Sequence, residues 1–412
     1  MKSKESGKLH RAWIVLIGCC LMNCGTSGLT NCLGLFYKPL AEAFSTAEKT
    51  VGVSDAALGR TIQMIVVALV VVLCGKLLTK YYKKALYLSS IFYGVYFLLM
   101  SFAGNISHIY IVQGLAGIVV AILQNLCIIF TINRWFYKKK GTAFSIFSAC
   151  AGISSMFFNA VTGNIIDRFG WQWGYRFFAI SGFVLTFTAS LIMQESPKAC
   201  GLEPYGWDDS AMEQQAEVST DSRPLHKRPE LYLMIFLLCS FQFLMSSTTH
   251  CSTYARSIGY GLVAAAYISS VGFAGNTGIK LVLGGVRDRF GTKKAGLFEF
   301  ALAAAGYLLL IFNRNLVMLL AGIFLVGSVI STATIISPVL HSDLFKGEDF
   351  NRAYPITNMF GQIVGAFANY FYGWVYDSTG SYITIFIICL ALLVLDTVLL
   401  LAASRKKPGA EV

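Results

Sequence analysis

The sequence predicts an all-α membrane protein of twelve transmembrane helices arranged as two pseudo-symmetric six-helix halves. Three observations carry this prediction. Of the 412 residues, 56% are hydrophobic and 13% charged, with a mean hydropathy of +0.62, against about 25% charged in a soluble domain. Apolar runs of about 20 residues, enough at 1.5 Å per residue to cross about 30 Å of hydrocarbon, recur along the whole chain. The chain also matches itself at an offset of 209 to 210 residues.

In order, the expected spans are 13–37, 56–79, 85–104, 107–132, 142–166, 175–194, 231–255, 262–286, 295–312, 316–339, 353–376 and 382–403. The first follows "MKSKESGKLHR", yet it is too long for the apolar region of a cleaved signal and lacks a small-x-small exit, so a retained helix is expected. With the N-terminus placed inside, 25 of the 33 Lys and Arg are assigned to the cytoplasmic side, seven to outer ends or loops, and the remaining one is Lys280. This positive-inside pattern predicts a multi-pass protein of the cell (inner) membrane with both termini cytoplasmic. The net charge of +12 is therefore a topology signal, and no basic-aromatic motif suggests nucleic acid as a partner.

Ten of the eleven cysteines lie in apolar runs, where they serve as small packers, and only Cys200 lies in a loop. Neither metal-ligand spacing nor a disulfide framework is visible, so no metal or cofactor is expected. With no nucleophile-base constellation and no nucleotide-binding loop, an enzyme is not expected either.

The internal match defines the organisation. "GKLLTKYYKK" (75–84) overlays "GGVRDRFGTK" (284–293), "GNIIDRFGW" (163–171) overlays "GWVYDSTGS" (373–381), and "TAFSI" (142–146) overlays "RAYPI" (352–356). Each pair falls at the same end of a predicted helix. The expected domains are therefore an N-terminal bundle, 1–194, and a C-terminal bundle, 231–412, repeated in parallel. The polar segment 195–230 joins them, read as a flexible or loosely helical cytoplasmic linker. Parallel repeats of this kind are the plan of transporters that rock two bundles about a midplane site.

Within that plan, "GGVRDRFGTKK" resembles the loop 8/9 signature of the major facilitator superfamily, G-x-x-x-D-R-x-G-x-K-K. The first-half copy departs from it, with Thr79 and Tyr82 where the signature has Asp and Gly. The resemblance therefore implies gating by the second copy, through Gly284, Asp288, Arg289 and Gly291, with Arg134 of loop 4/5 in the same group. "YARSIG" after helix 7, "NRWFYKKKGTAFSI" between helices 4 and 5, "SPVLHSDLF" closing helix 10 and "GWVYDSTGSY" between helices 11 and 12 together resemble the monocarboxylate transporter and oxalate:formate exchanger branch. That likeness covers nearly the whole chain outside the linker.

Lys280 is the residue that asks for an explanation. It lies six residues before Val286, about 9 Å from the cytoplasmic edge, so its stem could carry the ammonium to the headgroups. Against this, helical steps back from it reach Asn276, Gly272 and Ser269, a small and polar stripe that turns from lipid. A cation on such a face marks a functional site, because lipid would penalise it by several kcal/mol. In the families resembled, an arginine eight residues before the motif aspartate contacts the substrate carboxylate, and eight before Asp288 is Lys280. A lysine is a point charge rather than a bidentate fork, and unlike arginine it can exchange its proton.

Other positions depart from those families. The monocarboxylate transporters have an aspartate where this chain has Asn276 and a helix 1 lysine that aligns with Asn31. The second cation of the exchanger lands near Gly361, and two of its tyrosines fall on Asn125 and Thr334, themselves related by the 209-residue offset. One cation among small polar groups disfavours a dianion such as oxalate. Polar stripes at helical spacing extend the expected cavity: Asn23, Ser27 and Asn31; Gln113 and Gln124; Gln242, Ser246, Thr249 and Thr253; Asn358, Gln362 and Asn369. Taken singly, each is as well explained as interhelical hydrogen bonding, and Gly361 with Gly365 as close packing. His250 titrates near neutral pH when free and is a candidate for proton coupling, though a hydrogen-bonded core histidine is the plainer reading. Glu299 and Asp396 lie on helices 9 and 12, expected at the outside of the bundle.

The function expected is secondary active transport of small organic anions, above all monocarboxylates such as lactate, pyruvate or formate, by proton symport or anion exchange. The candidate binding residues are Lys280, Asn276, Asn31, Asn125, Thr334, Asn358 and Gln362, with Lys280 and His250 for the proton. The expected partners are a small anionic substrate, a proton and the lipid bilayer, with the protein a monomer. The competing readings are transport of a neutral or zwitterionic solute with Lys280 structural, and a non-transporting membrane sensor on the same fold.

Overall fold

The computed structural model describes residues 10–46, 50–137, 139–207, 223–345 and 348–403. Helices account for nearly all of it, in twelve membrane-length elements. We number these α1–α12 and call the end carrying segments 45–52, 258–261 and 380–382 the outer end, following the charge asymmetry.

α1 starts at Arg11–Asn23, passes through a π turn, Cys24–Gly28, and resumes as Gly34–Phe44. Val53–Met100 is one helical run bent at Tyr81, which makes α2 residues 53–80 and α3 residues 82–100. α4 comprises Ile106–Leu123 and Asn125–Trp135, broken at Gln124. α5 is Lys140–Phe169 and α6 is Trp171–Ile192. α7 joins Pro229–Ser246 to Cys251–Ser257 through a 3-10 turn, Ser247–His250. Leu262–Ile311 bends at Gly291, where φ is +84°, and divides there into α8 and α9. α10 runs from Leu316–Val326 through a π turn, Thr332–Ile336, to Ser337–Leu344. α11 is Glu348–Thr379 and α12 is Ile383–Ala403.

Nine stretches among the described residues are long and apolar enough to cross a membrane. The other three expected spans are helical too, but α1 is interrupted, α3 begins with Lys83 and Lys84, and α11 carries Asn358, Gln362 and Asn369. Several helices outrun the apolar windows used to expect them. α1 continues to Phe44, and α2 begins at Val53, because polar residues at the ends of a span remain helical outside the hydrocarbon.

Buried apolar side chains form two clusters. One draws on residues 12–193 and takes in Ala266 from the second half; the other spans 231–400. The halves touch along two crossings that the internal repeat relates. A Cβ on Gly163 of α5 would stand 2.3 Å from the Ala266 Cβ of α8, and one on Gly373 of α11 would stand 2.7 Å from the Ser54 Cα of α2. Glycine is required where helices approach so closely. Most of the hydrogen bonds between halves among the described residues lie at the outer end or in the middle of the bundle. They include Arg256 to Glu42 at 3.3 Å, Thr61 Oγ1 to the Ala366 carbonyl at 2.7 Å and Ser270 Oγ to the Met156 carbonyl at 3.0 Å. This conformer is closed at its outer end.

The first part of the linker is docked rather than loose. Tyr137 N–H donates to the Tyr205 carbonyl at 3.0 Å and Tyr205 N–H to the Trp135 carbonyl at 2.8 Å. The Tyr205 ring packs edge-on against Trp13 and His10. Aromatic residues supply buried area that the charged composition of the segment had obscured. Its middle, 208–222, lies outside the described residues.

Candidate functional site

Lys280 sits on the seam between the halves. Its Nζ donates to Ser148 Oγ of α5 at 2.8 Å. The approach is possible because Gly152, one turn along α5, leaves room for α8: a Cβ there would lie 2.2 Å from Thr277 Oγ1 and 3.3 Å from Asn276 Nδ2. Asn276 is 2% exposed, and its Oδ1 has no hydrogen-bond partner. Among the described residues Lys280 forms no ion pair. Ser148 was not foreseen, since a serine 132 residues away gives no local signal of the contact.

The stripe running back from Lys280 does not line a cavity along its whole length. A Cβ on Gly327 of α10 would meet the Gly272 carbonyl oxygen at 1.8 Å, and one on Gly275 would meet the Phe324 carbonyl at 1.9 Å. That face of α8 is welded to α10, while Asn276, Thr277 and Lys280, like Ala266 and Ser270 nearer the outer end, lie against α5. Asn31 lies on the same seam's N-terminal side and donates to Ser155 Oγ of α5 at 3.0 Å.

Thr334 and Asn125 occupy matching irregularities. Thr334 lies in the α10 π turn, exposed, with Oγ1 donating to the Ile330 carbonyl at 2.8 Å. Asn125 opens the second piece of α4 directly after the break at Gln124, whose ψ is −141°. Its side chain lies outside the described residues. Interrupted helices in mid-membrane are tolerated where they are enclosed by protein or line a cavity. Asn358 and Gln362 are half-buried on α11.

Several polar residues of the expected cavity are bonded elsewhere. Asn23 Nδ2 donates to the Phe147 carbonyl at 2.9 Å, and Ser246 Oγ to the Gln242 carbonyl at 3.0 Å. Gly361 and Gly365 admit Leu238 and Gln242 of α7. His250 is 1% exposed, with Nδ1 3.2 Å from Tyr382 OH and Nε2 3.1 Å from the Asn369 carbonyl. Both ring nitrogens are thus engaged within the second half. Glu299 and Asp396, on helices expected at the outside of the bundle, are both 0% exposed. The position of a helix in the ring does not decide which of its faces a residue occupies. Asp396 accepts from Ser240 Oγ at 2.6 Å, while the Glu299 carboxylate is approached only by the Ser328 hydroxyl.

Of the gating group, Gly291 makes the bend between α8 and α9, and Arg289 is exposed with its guanidinium 5.5 Å from the centre of the Phe290 ring. Arg134 pairs with Glu195 of the linker at 2.9 Å and lies over the Phe130 ring. Gly284 and Asp288 belong to α8, but nothing beyond their backbone lies within the described residues. No group of three or more His, Cys, Asp or Glu among the described residues is arranged to hold a metal.

Comparison with known proteins agrees with this architecture. Rat monocarboxylate transporter 12 is 22% identical over 425 residues, covering 94% of this chain and 84% of that protein. The MFS-type transporter pynF of Aspergillus niger is 23% identical over 312 residues, covering 74% and 67%. Among solved structures, the xylose transporter XylE from E. coli, partially occluded and inward open, superposes with a TM-score of 0.76 at 12% identity over 98% of this chain and all of that one. The nucleoside transporter NupG superposes with a TM-score of 0.71 at 14% identity, covering 95% and 99%. The fold is thus the one these twelve-helix transporters share. The family model described as Major Facilitator Superfamily matches residues 15–312 and 279–412, and the chain belongs to that superfamily.

Proposed function

We propose that the chain carries small monocarboxylates across the cell membrane by alternating access, with Lys280 taking the carboxylate and exchanging the coupled proton. One observation carries this reading: the Lys280 ammonium lies on the seam between the halves, held by the neutral Ser148 at 2.8 Å, with no ion pair among the described residues. A cation withdrawn from water with no carboxylate in direct contact attracts an anion, and a site that both halves help to build is remade when they rock. The relatives named monocarboxylate transporter 12 support the same substrate class. Asn276, Asn31, Asn125, Thr334, Asn358 and Gln362 complete the proposed lining with neutral hydrogen-bonding groups that suit one carboxylate and a short polar tail. Both termini are proposed to be cytoplasmic and the unit a monomer.

The test is uptake of labelled acetate, lactate, pyruvate and formate by proteoliposomes under an imposed pH gradient. Lys280→Ala is expected to abolish binding and transport. Lys280→Arg, which keeps its proton, is expected to retain exchange but lose accumulation driven by the gradient. Normal transport by Lys280→Ala would reduce the lysine to a membrane anchor. Accumulation by Lys280→Arg would move the proton to another group, His250 being the next to examine.

A further inference from the structure

A second cation lies within the membrane-spanning part of the bundle. Arg60, counted in the sequence with the outer-end charges, stands seven residues beyond Val53 on α2 and is half-buried. That is about 10 Å below the helix start. Its guanidinium donates to Gln63 Oε1. The ion pairs among the described residues are Arg134–Glu195, Arg228–Asp349 and Arg256–Glu42, so no carboxylate answers Arg60.

The surrounding groups are equally unanswered. Tyr37 OH and Gln113 Oε1 are buried without a hydrogen-bond partner, and Gln63 Nε2 and Tyr96 OH, also buried, have none but each other. The four residues are 2%, 0%, 4% and 2% exposed. Both phenols lie within electrostatic reach of the guanidinium, and the Gln113 amide carbon comes within 3.3 Å of where a Cβ would stand on Gly59, beside Arg60. Buried polar groups are ordinarily paired, so these under-satisfied atoms, from four helices around one cation with no carboxylate partner, describe a cradle rather than a packing accident. Its chemistry is one-sided. Two hydroxyls, one amide NH2 and the guanidinium donate, while Gln113 Oε1 adds a single acceptor for a hydroxyl or a protonated acid.

We infer that Arg60, Tyr37, Gln63, Tyr96 and Gln113 form a second anion station, which takes a carboxylate beneath the outer closure before it reaches Lys280. The idea of a station on a path rests on the transport reading; binding of an anion at Arg60 does not. Lys280 lies 18 residues below the outer start of α8 at Leu262, about 27 Å along the helix. The two cations are therefore separated by about 17 Å along the bundle axis, too far for one two- or three-carbon acid to touch both. They are successive stops, and Arg60 is the one nearer the outside.

The prediction is an effect that depends on the face. In oriented proteoliposomes, Arg60→Gln is expected to raise the half-saturation concentration for external pyruvate about tenfold or more, with a change several-fold smaller for internal pyruvate, and Arg60→Lys to recover most of the loss. Equal changes at the two faces, or none outside, would overturn the station. A measurement independent of transport uses phenylglyoxal, which modifies arginine, with the adduct on the Arg60 peptide read by mass spectrometry of the full-length protein. Pyruvate is expected to reduce that adduct several-fold, and acetamide to leave it unchanged. An adduct indifferent to pyruvate, or an Arg60 that the reagent never reaches, refutes the station. Should the wild type move none of the acids while pyruvate still protects Arg60, the transport reading fails and the anion site stands.

Discussion

The carboxylate of Asp377, in the last turns of α11, accepts from Ser54 twice, from the backbone N–H at 2.9 Å and from the hydroxyl at 2.6 Å. It also accepts from the Val53 N–H at 3.2 Å. These are free donors of the first turn of α2, so a residue of the second half caps a helix of the first, where a negative charge is favoured by the helix dipole. Gly52 permits the approach, since a Cβ there would lie 2.5 Å from the Asp377 carboxylate. Because the cap exists only while the outer ends are together, Asp377→Ala is expected to shift the conformers toward outward-open. A cap is worth about 0.5–2 kcal/mol, which corresponds to a change of about 2- to 30-fold in the ratio. Spin labels on the outer ends of α2 and α11 would report it as a longer distance population, and an unchanged distribution would remove the latch.

Two glycines separate closure from folding. A Cβ on Gly34 of α1 would stand 1.9 Å from the Thr249 carbonyl of α7, across the halves, and one on Gly327 would stand 1.8 Å from the Gly272 carbonyl, within the second half. Gly327→Ala is expected to lower thermal stability by about 1–3 kcal/mol, as overpacking does. Gly34→Ala is expected to disfavour only the conformer closed at its outer end, shifting label distances with a much smaller change in melting temperature.

Glu299 provides a test of buried charge. Its carboxylate is sealed from solvent, is approached only by the Ser328 hydroxyl, and lies near enough for its charge to act on Lys280. An unpaired carboxylate in such a place is unfavourable, and it competes with any substrate anion for the ammonium. Glu299→Gln keeps the shape and removes the charge. The expected outcome is a melting temperature no lower than that of the wild type and a several-fold lower half-saturation concentration for pyruvate. Weaker binding in this variant would show that the carboxylate supports the site instead.

Cys200 tests orientation. It closes the 3-10 turn Lys198–Cys200 in the segment joining the halves and is half-buried there. A membrane-impermeant maleimide should reach it from the cytoplasmic side alone, and labelling from outside would invert the topology.

Much of the architecture was legible because the bilayer leaves few options. Runs such as 316–339 and 382–403 have no other use, and the lone cation Lys280 stands out against an apolar background. What escaped was long-range or depended on a boundary. The Ser148 contact joins helices far apart in sequence, and nothing about a serine in α5 announces it. Arg60 looked terminal because span 2 was expected to begin at residue 56, whereas α2 begins at Val53; helix ends are where apolar patterning is weakest. The breaks at Gln124 and Thr332–Ile336 were invisible for another reason: periodicity reports which face is apolar, not whether every turn is regular.

The duplicated halves do not share one fastening. Gly261 begins α8 as Gly52 begins α2, and Asp167 is the counterpart of Asp377. Yet nothing stands within 4 Å of a Cβ on Gly261, and Asp167 is exposed. On its α2–α11 side the outer rim is thus held by a carboxylate cap, while beside α5 and α8 a shallow crevice of about 440 Å³, walled by Asn164, Arg168 and Tyr267, is bridged by a neutral bond from Asn164 Nδ2 to Tyr267 OH at 3.3 Å. Of these two related fastenings only the one between α2 and α11 caps a helix with a charge, so its release is the larger step in opening the rim. That step acts on α2, the helix that carries Arg60, so the motion that unfastens the protein also bears on the charge proposed to receive what enters.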